Sequence, residues 1–110
     1  MYYVIPPKVK RNAITALNMR KEGFKGGTET GINRGKQLSR EDYISMDDVV
    51  NMRAWFARHR KVSRPGYSKW KKEGKPTIPR SPADKTAMRG SVAWLLWGGD
   101  EGEKWVNSII

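Results

Sequence analysis

The sequence predicts an all-α fold: a small domain of three to four helices with long basic Gly/Pro-rich loops. Three observations carry this reading. Apolar residues recur at helical spacing in separate stretches. Hydroxyl–x–x–carboxylate signals, which satisfy orphan amides at a helix start, stand before the later stretches, as at Ser45–Asp48. Glycines and prolines gather in two intervening segments, about 23–38 and 61–80, which also hold most of the excess positive charge. The 110 residues form one domain, 1–110, and five Trp, four Tyr and two Phe supply bulk for a modest core.

Taken in order, Pro6 and Pro7 end a short extended arm, Tyr2 to Ile5. Val9, Ala13, Ala16 and Leu17 then share one helical face, opposite Lys8, Arg11, Thr15, Asn18 and Glu22, so residues 8–22 are a helix with Gly23 as its stop. Phe24 to Gly35 contains four glycines and reads as a loop. Ser39–Asp42 starts about one helical turn, and Ser45–Asp48 opens a real helix, 46–60, with Met46, Val49, Val50, Met52, Phe56 and Ala57 on its apolar face. On that wheel Arg53 falls among the apolar residues and Trp55 among the polar ones. Either a second element covers both, or Arg53 snorkels and Trp55 is an exposed stacking residue. Residues 61–80 read as an extended, mobile segment with a turn near Trp70. Ser81-Pro-Ala-Asp84 is the clearest start signal, and the helix it opens, 82–97, is apolar nearly all round in its second half, the mark of a buried central helix. Gly98-Gly99 stops it, and Asp100 with Glu103 opens a last helix, 101–108.

Charge dominates what can be said of function. There are 22 Lys and Arg against 11 Asp and Glu, for a formal charge of +11. Residues 1–40 and residues 60–80 each carry +7, while 41–59 and 81–110 are slightly acidic. Two concentrated basic segments attract a polyanion, and nucleic acid, DNA rather than RNA, is the expected partner. Enzymatic chemistry finds little material. No cysteine is present, so disulfides, Cys-zinc sites and thiol nucleophiles are excluded. A single histidine leaves no second imidazole for a metal site. Eight of the eleven acids fall in predicted N-terminal turns, where they have a structural role. The expectation is therefore no enzyme activity, no metal and no cofactor. The longest apolar run, Val92–Trp97, is far short of the roughly 20 residues of a membrane span, and the N-terminus is no secretory signal. A soluble protein of the cytoplasm is expected.

The candidate contacts to nucleic acid fall in three groups. Lys8, Lys10 and Arg11 lie at the start of the first helix. Lys25, Arg34 and Lys36 flank the glycine loop, whose amides could approach a phosphate closely. That loop is not a Walker A motif, because no Gly-Lys-Ser/Thr follows and the downstream residues do not read as a helix start; a plain connector is the alternative. The third group is Arg58, His59, Arg60, Lys61, Arg64, Tyr67, Lys69, Trp70, Lys71, Lys72 and Lys75. Its cations would neutralise phosphate while Tyr67 and Trp70 stack on bases, as single-strand binders do. The alternative is a solvated loop whose Trp70 packs back on the core. His59 could reach a phosphate or a base, or simply cap a helix end.

Three stretches carry a resemblance: Phe24-Lys-Gly-Gly-Thr-Glu-Thr-Gly-Ile-Asn-Arg-Gly-Lys-Gln-Leu38, Met52-Arg-Ala-Trp-Phe-Ala-Arg-His59 and Ser91-Val-Ala-Trp-Leu-Leu-Trp-Gly-Gly-Asp100. Together they resemble a recurrent small domain of bacteriophage proteins with a Gly-Gly-Thr-x-x-Gly-x-x-Arg loop and a Trp-Leu-Leu-Trp-Gly-Gly-Asp ending. The match covers most of residues 10–105. Two departures stand out: the Arg-rich run after the loop is reduced to Arg34 and Lys36, and Met52 precedes Arg53. The resemblance implies a phage-encoded protein, acting in the host cytoplasm or carried in the virion, and assigns no catalytic residue. The reading that results is a non-enzymatic phage protein contacting the phosphate backbone. The alternative is a small phage interaction protein or virion component that binds an acidic host or phage protein.

Overall fold

The computed structural model describes residues 1–110. It is an all-α domain with one two-stranded ribbon. β1 (Tyr2–Val4) pairs antiparallel with β2 (Tyr43–Ser45), in the register Tyr2↔Ser45, Tyr3↔Ile44, Val4↔Tyr43. The helices are α1 (Pro7–Lys21), α2 (Glu29–Arg40), α3 (Met46–Lys72), the single turn α4 (Asp84–Ala87), α5 (Arg89–Leu96) and α6 (Gly99–Ile109). α5 lies at the centre and packs on α1, α2, α3 and α6, as its nearly all-round apolar sequence demands. No helix is long and apolar enough to cross a membrane.

α1 matches the expected helix almost residue for residue. Val9, Ala13, Ala16 and Met19 are its buried stripe, and Gly23 leaves it with φ +104. The expected loop at 23–38 is a correction, since most of it is helix. Thr28 caps α2 by accepting a hydrogen bond from the Gly31 amide at 3.1 Å. Gly31 and Gly35 sit one turn apart on the buried face. A Cβ built on Gly35 would lie 2.6 Å from Leu96 Cδ2, and one on Gly31 3.2 Å from the Trp97 indole nitrogen. The glycines therefore let α2 seat directly against the end of α5, and this packing offsets their poor helix propensity. Ser39–Asp42 does not start a turn; Ser39 lies in the last turn of α2, and the chain then enters β2.

The second correction is larger. The segment 61–80 is not extended throughout, because α3 continues from Met46 to Lys72 through Pro65. Its 27 residues account for about 40 Å of the molecule's 44 Å long axis. The buried stripe Val49, Met52, Phe56, Ser63, Tyr67 and Trp70 runs its whole length, with Trp55 beside it. An interior proline removes one ladder hydrogen bond and is worth about 3 kcal/mol against the helix. Two buried aromatics beyond it supply a comparable opposing term, about 1.5–3 kcal/mol for each large side chain fully removed from water. Gly66 meets Gly90 of α5 so closely that a Cβ there would lie 2.9 Å from the Gly90 Cα. Arg53, Val50 and Ala57 are exposed, whereas Trp55 is buried, so the true face is rotated from the expected one and α5 covers the tryptophan.

The expected helix 82–97 is broken at Met88 into α4 and α5. Its start signal works only in part: Ser81 Oγ accepts from the Asp84 amide at 3.3 Å and Asp84 accepts from the Arg80 amide at 2.9 Å, but the helix begins at Asp84 with Ala83 before it, two residues later than expected. α6 begins at Gly99, two residues before the expected start, after Gly98 turns left-handed with φ +108.

Candidate functional site

The candidate cations separate by whether the protein itself occupies them. Arg34 donates to Asp48 at 2.8 Å, also meets Gln37, and covers the Trp97 ring at 5.3 Å. Arg64 grips Asp100 with two hydrogen bonds, 2.9 and 2.8 Å, and lies over Tyr67 at 5.3 Å. Burial raises the Asp100 carboxyl, but Arg64 and the Trp94 indole, which donates at 2.9 Å, outweigh it and hold the group below its ordinary range. Burial opposes ionisation of Asp48 in the same way, and the hydrogen bonds from Arg34 and Gln37 again prevail. Arg60 is paired with Glu103, and Lys10 reaches the Glu41 carbonyl and the Asp42 carboxylate. These four are latches between elements and are poor choices for a free phosphate.

Tyr67 and Trp70 are corrections. The expected mobile segment would have exposed their rings, but they are 6% and 4% exposed in the core. Trp70 donates its indole N–H to the Pro76 carbonyl at 2.8 Å, tying the chain beyond α3 back to the helix. Neither ring offers a face to a base. The remaining cations are exposed and form no ion pair: Lys8, Arg11, Lys25, Lys36, Arg58, Lys61, Lys69, Lys71, Lys72 and Lys75. Lys71 lies over the Tyr67 ring at 5.5 Å.

Two surfaces emerge. The first is the outer face of α3, where Arg58, Lys61, Pro65, Lys69 and Lys72 recur at spacings of three and four residues, opposite the buried stripe. A groove of about 680 Å³ lies along it, lined by Pro65, Ser68 and five cations, Arg60, Lys61, Arg64, Lys69 and Lys72. The extension of α3 through Pro65 makes this basic surface continuous along one helix.

The second surface is a cleft of about 540 Å³ between the Lys25–Thr28 loop, α3 and the start of α5. Lys25, His59 and Arg89 line it, with Trp55, Trp97 and no carboxylate. The Trp55 ring is sandwiched between His59, at 4.6 Å and 12°, and Trp97, at 4.7 Å and 11°. His59 Nδ1 lies 2.9 Å from the Trp55 carbonyl, and only an N–H can bond a carbonyl, so Nε2 is left for other partners. Sequence reasoning singled out Lys25 and His59 here but missed Thr28, Ser63 and Arg89. Thr28 was findable, since a hydroxyl followed by Glu29 in the first turn is an N-cap signal. Arg89 had no local signal and reaches the cleft only through the break at Met88.

No protein-family model matches the chain, and neither a curated protein nor a solved structure is significantly similar to it.

Proposed function

We propose that the chain is a non-enzymatic nucleic-acid-binding protein of a bacteriophage, which grips the phosphate backbone along the outer face of α3. The observation that carries this reading is the cation-lined groove, with no carboxylate in its wall, beside Lys61, Lys69 and Lys72. These lysines have no carboxylate partner, so their charge is available to a ligand. From Lys61 to Lys72 the helix rises about 16 Å, the axial length of about five phosphates on one DNA strand. The phage assignment rests on the resemblance of the Gly-Gly-Thr loop and the Trp-Leu-Leu-Trp-Gly-Gly-Asp ending. The contact is to backbone rather than bases, because the aromatic rings of this region are in the core.

Fluorescence anisotropy with single- and double-stranded DNA and RNA, at several salt concentrations, tests the reading. DNA should bind with a log K that falls linearly with log salt. Replacing Lys61, Lys69 and Lys72 together by Gln should make that slope shallower by about 2–3, near 0.9 per lost phosphate contact on duplex. Absence of binding, or a slope indifferent to the three lysines, overturns it. A nuclease-resistant complex with an acidic protein would then favour a protein partner for the same charge.

A further inference from the structure

The cleft beside His59 is chemically distinct from the α3 ridge. Its loop side holds Gly26, Gly27 and Thr28, the first three of five successive backbone amides, Gly26 to Thr30, that donate to no acceptor in the protein. Gly26 and Gly27 have φ of +139 and +81, and Thr28 caps the 12-residue α2, so these amides stand at the positive end of the helix dipole. Lys25 and Arg89 flank the loop, exposed and without ion pairs. The first-turn acid Glu29 lies outside the lining.

A second observation is independent of that helix end. Ser63 of α3 lines the same cleft at 5% exposure, and its hydroxyl has no hydrogen-bond partner in the protein. Only the Ser91 hydroxyl is fully enclosed without a partner; the Ser63 oxygen opens onto the cleft, where it can bond water or an occupant. A third observation concerns the aromatic column. Trp97, Trp55 and His59 are stacked in sequence, Arg34 closes the Trp97 end, and the far face of His59 has no ring upon it. The cleft therefore joins donors for an oxyanion to an open stacking face and contains no carboxylate to repel the anion.

We infer that this cleft binds a nucleoside 5′-monophosphate, its phosphate on the Gly27–Thr28 amides with Lys25 and Arg89, and its base stacked on His59. The occupant is either a free nucleotide or the 5′-phosphorylated end of a strand. The site does not depend on the ridge, although a strand end would join the two and to that extent rests on the reading above.

The test is titration of the full chain with thymidine 5′-monophosphate, thymidine, inorganic phosphate, and a short oligothymidylate with either a 5′-phosphate or a 5′-hydroxyl. Tryptophan fluorescence and the indole N–H resonances of Trp55 and Trp97 are followed. The monophosphate should saturate and shift both indole resonances, while thymidine and phosphate bind at least tenfold more weakly. Arg89→Gln and Lys25→Gln, both at exposed positions, should each weaken the monophosphate by about fivefold or more and leave the ridge's salt slope intact. Lys61, Lys69 and Lys72 changed to Gln should do the reverse. An advantage of the 5′-phosphorylated oligonucleotide over its 5′-hydroxyl form identifies a strand end; equal affinity of the two, beside saturable monophosphate, identifies a free nucleotide. No shift of the wild-type indole resonances by the monophosphate overturns the inference, as does phosphate binding equally well. If the oligonucleotides still bind through the ridge, the nucleic-acid reading survives that failure; if they do not, both fall.

Discussion

At the scale of single residues, the acidic side chains explain why so basic a chain holds together. Asp84 is 7% exposed and accepts three hydrogen bonds from Arg80: the backbone amide at 2.9 Å, and Nε and an Nη at 2.8 Å each. Those bonds, the side-chain ones first, hold its carboxyl at about 2. An unfolded Asp titrates near 3.9, so the folded state binds its proton less readily. The stabilisation from Asp84 is complete above about pH 4 and is lost as pH falls toward 2. Asp48 and Asp100 are also depressed, so their contributions fade in the same acid direction. Urea unfolding between pH 7 and 2 should show the wild-type midpoint dropping below pH 4. Asp84→Asn should be less stable at pH 7 and should lose less over that acid range. Parallel profiles for the two proteins would mean that the Arg80 hydrogen bonds confer no net stability.

At the scale of elements, the seating of α2 on α5 makes a prediction opposite in sign to helix propensity. Gly35→Ala in a free helix would stabilise by about 0.5–1 kcal/mol. Here the new Cβ would lie 2.6 Å from Leu96 Cδ2 and 3.4 Å from the Leu96 carbonyl oxygen. Overpacking of this kind destabilises by about 1–3 kcal/mol. Chemical denaturation of Gly35→Ala should therefore show a loss, and Leu96→Ala added to it should cost less than Leu96→Ala alone. A stabilised Gly35→Ala would show that α2 does not pack there. The same residues mark where sequence reading reached its limit. α1, the Ser45 cap and the buried run around Trp94 were legible because each signal is local: a stripe, a cap, a stop. α2 and the second half of α3 were not, because Gly31, Gly35, Pro65 and Gly66 each argue locally against a helix. The three glycines are justified by a partner surface, Leu96 or Gly90, some 25 to 65 residues away in the chain, and Pro65 by the buried aromatics that follow it in α3. The candidate site divided along the same line. The free lysines of α3 were legible as charge, whereas the burial of Tyr67 and Trp70 followed only from the helix that carries them.

At the scale of the whole molecule, the charge of +11 is both an asset for binding and a strain on the fold. The latches Arg34–Asp48, Arg64–Asp100, Arg60–Glu103 and Arg80–Asp84 use acids to hold elements together, and none of these acids is left for the outer face of α3. Arg58, Lys61, Lys69 and Lys72 are thus like charges on one helical face, and such neighbours repel by a few tenths of a kcal/mol per close pair. Changing Lys61, Lys69 and Lys72 to Gln should therefore raise the melting temperature at low salt. The gain should shrink as ionic strength rises, since the screening length falls to about 8 Å at 0.15 M. A bound polyanion should stabilise the wild type in the same way, by neutralising the face and by mass action. That effect should be largely missing in the triple variant. Thermal unfolding at 10 mM and 300 mM salt, with and without DNA, measures all three terms on the same two proteins. A triple variant that is less stable than wild type at low salt would show that the lysine stems support α3 by packing, and would remove charge strain as the reason this face is poised to accept an anionic ligand.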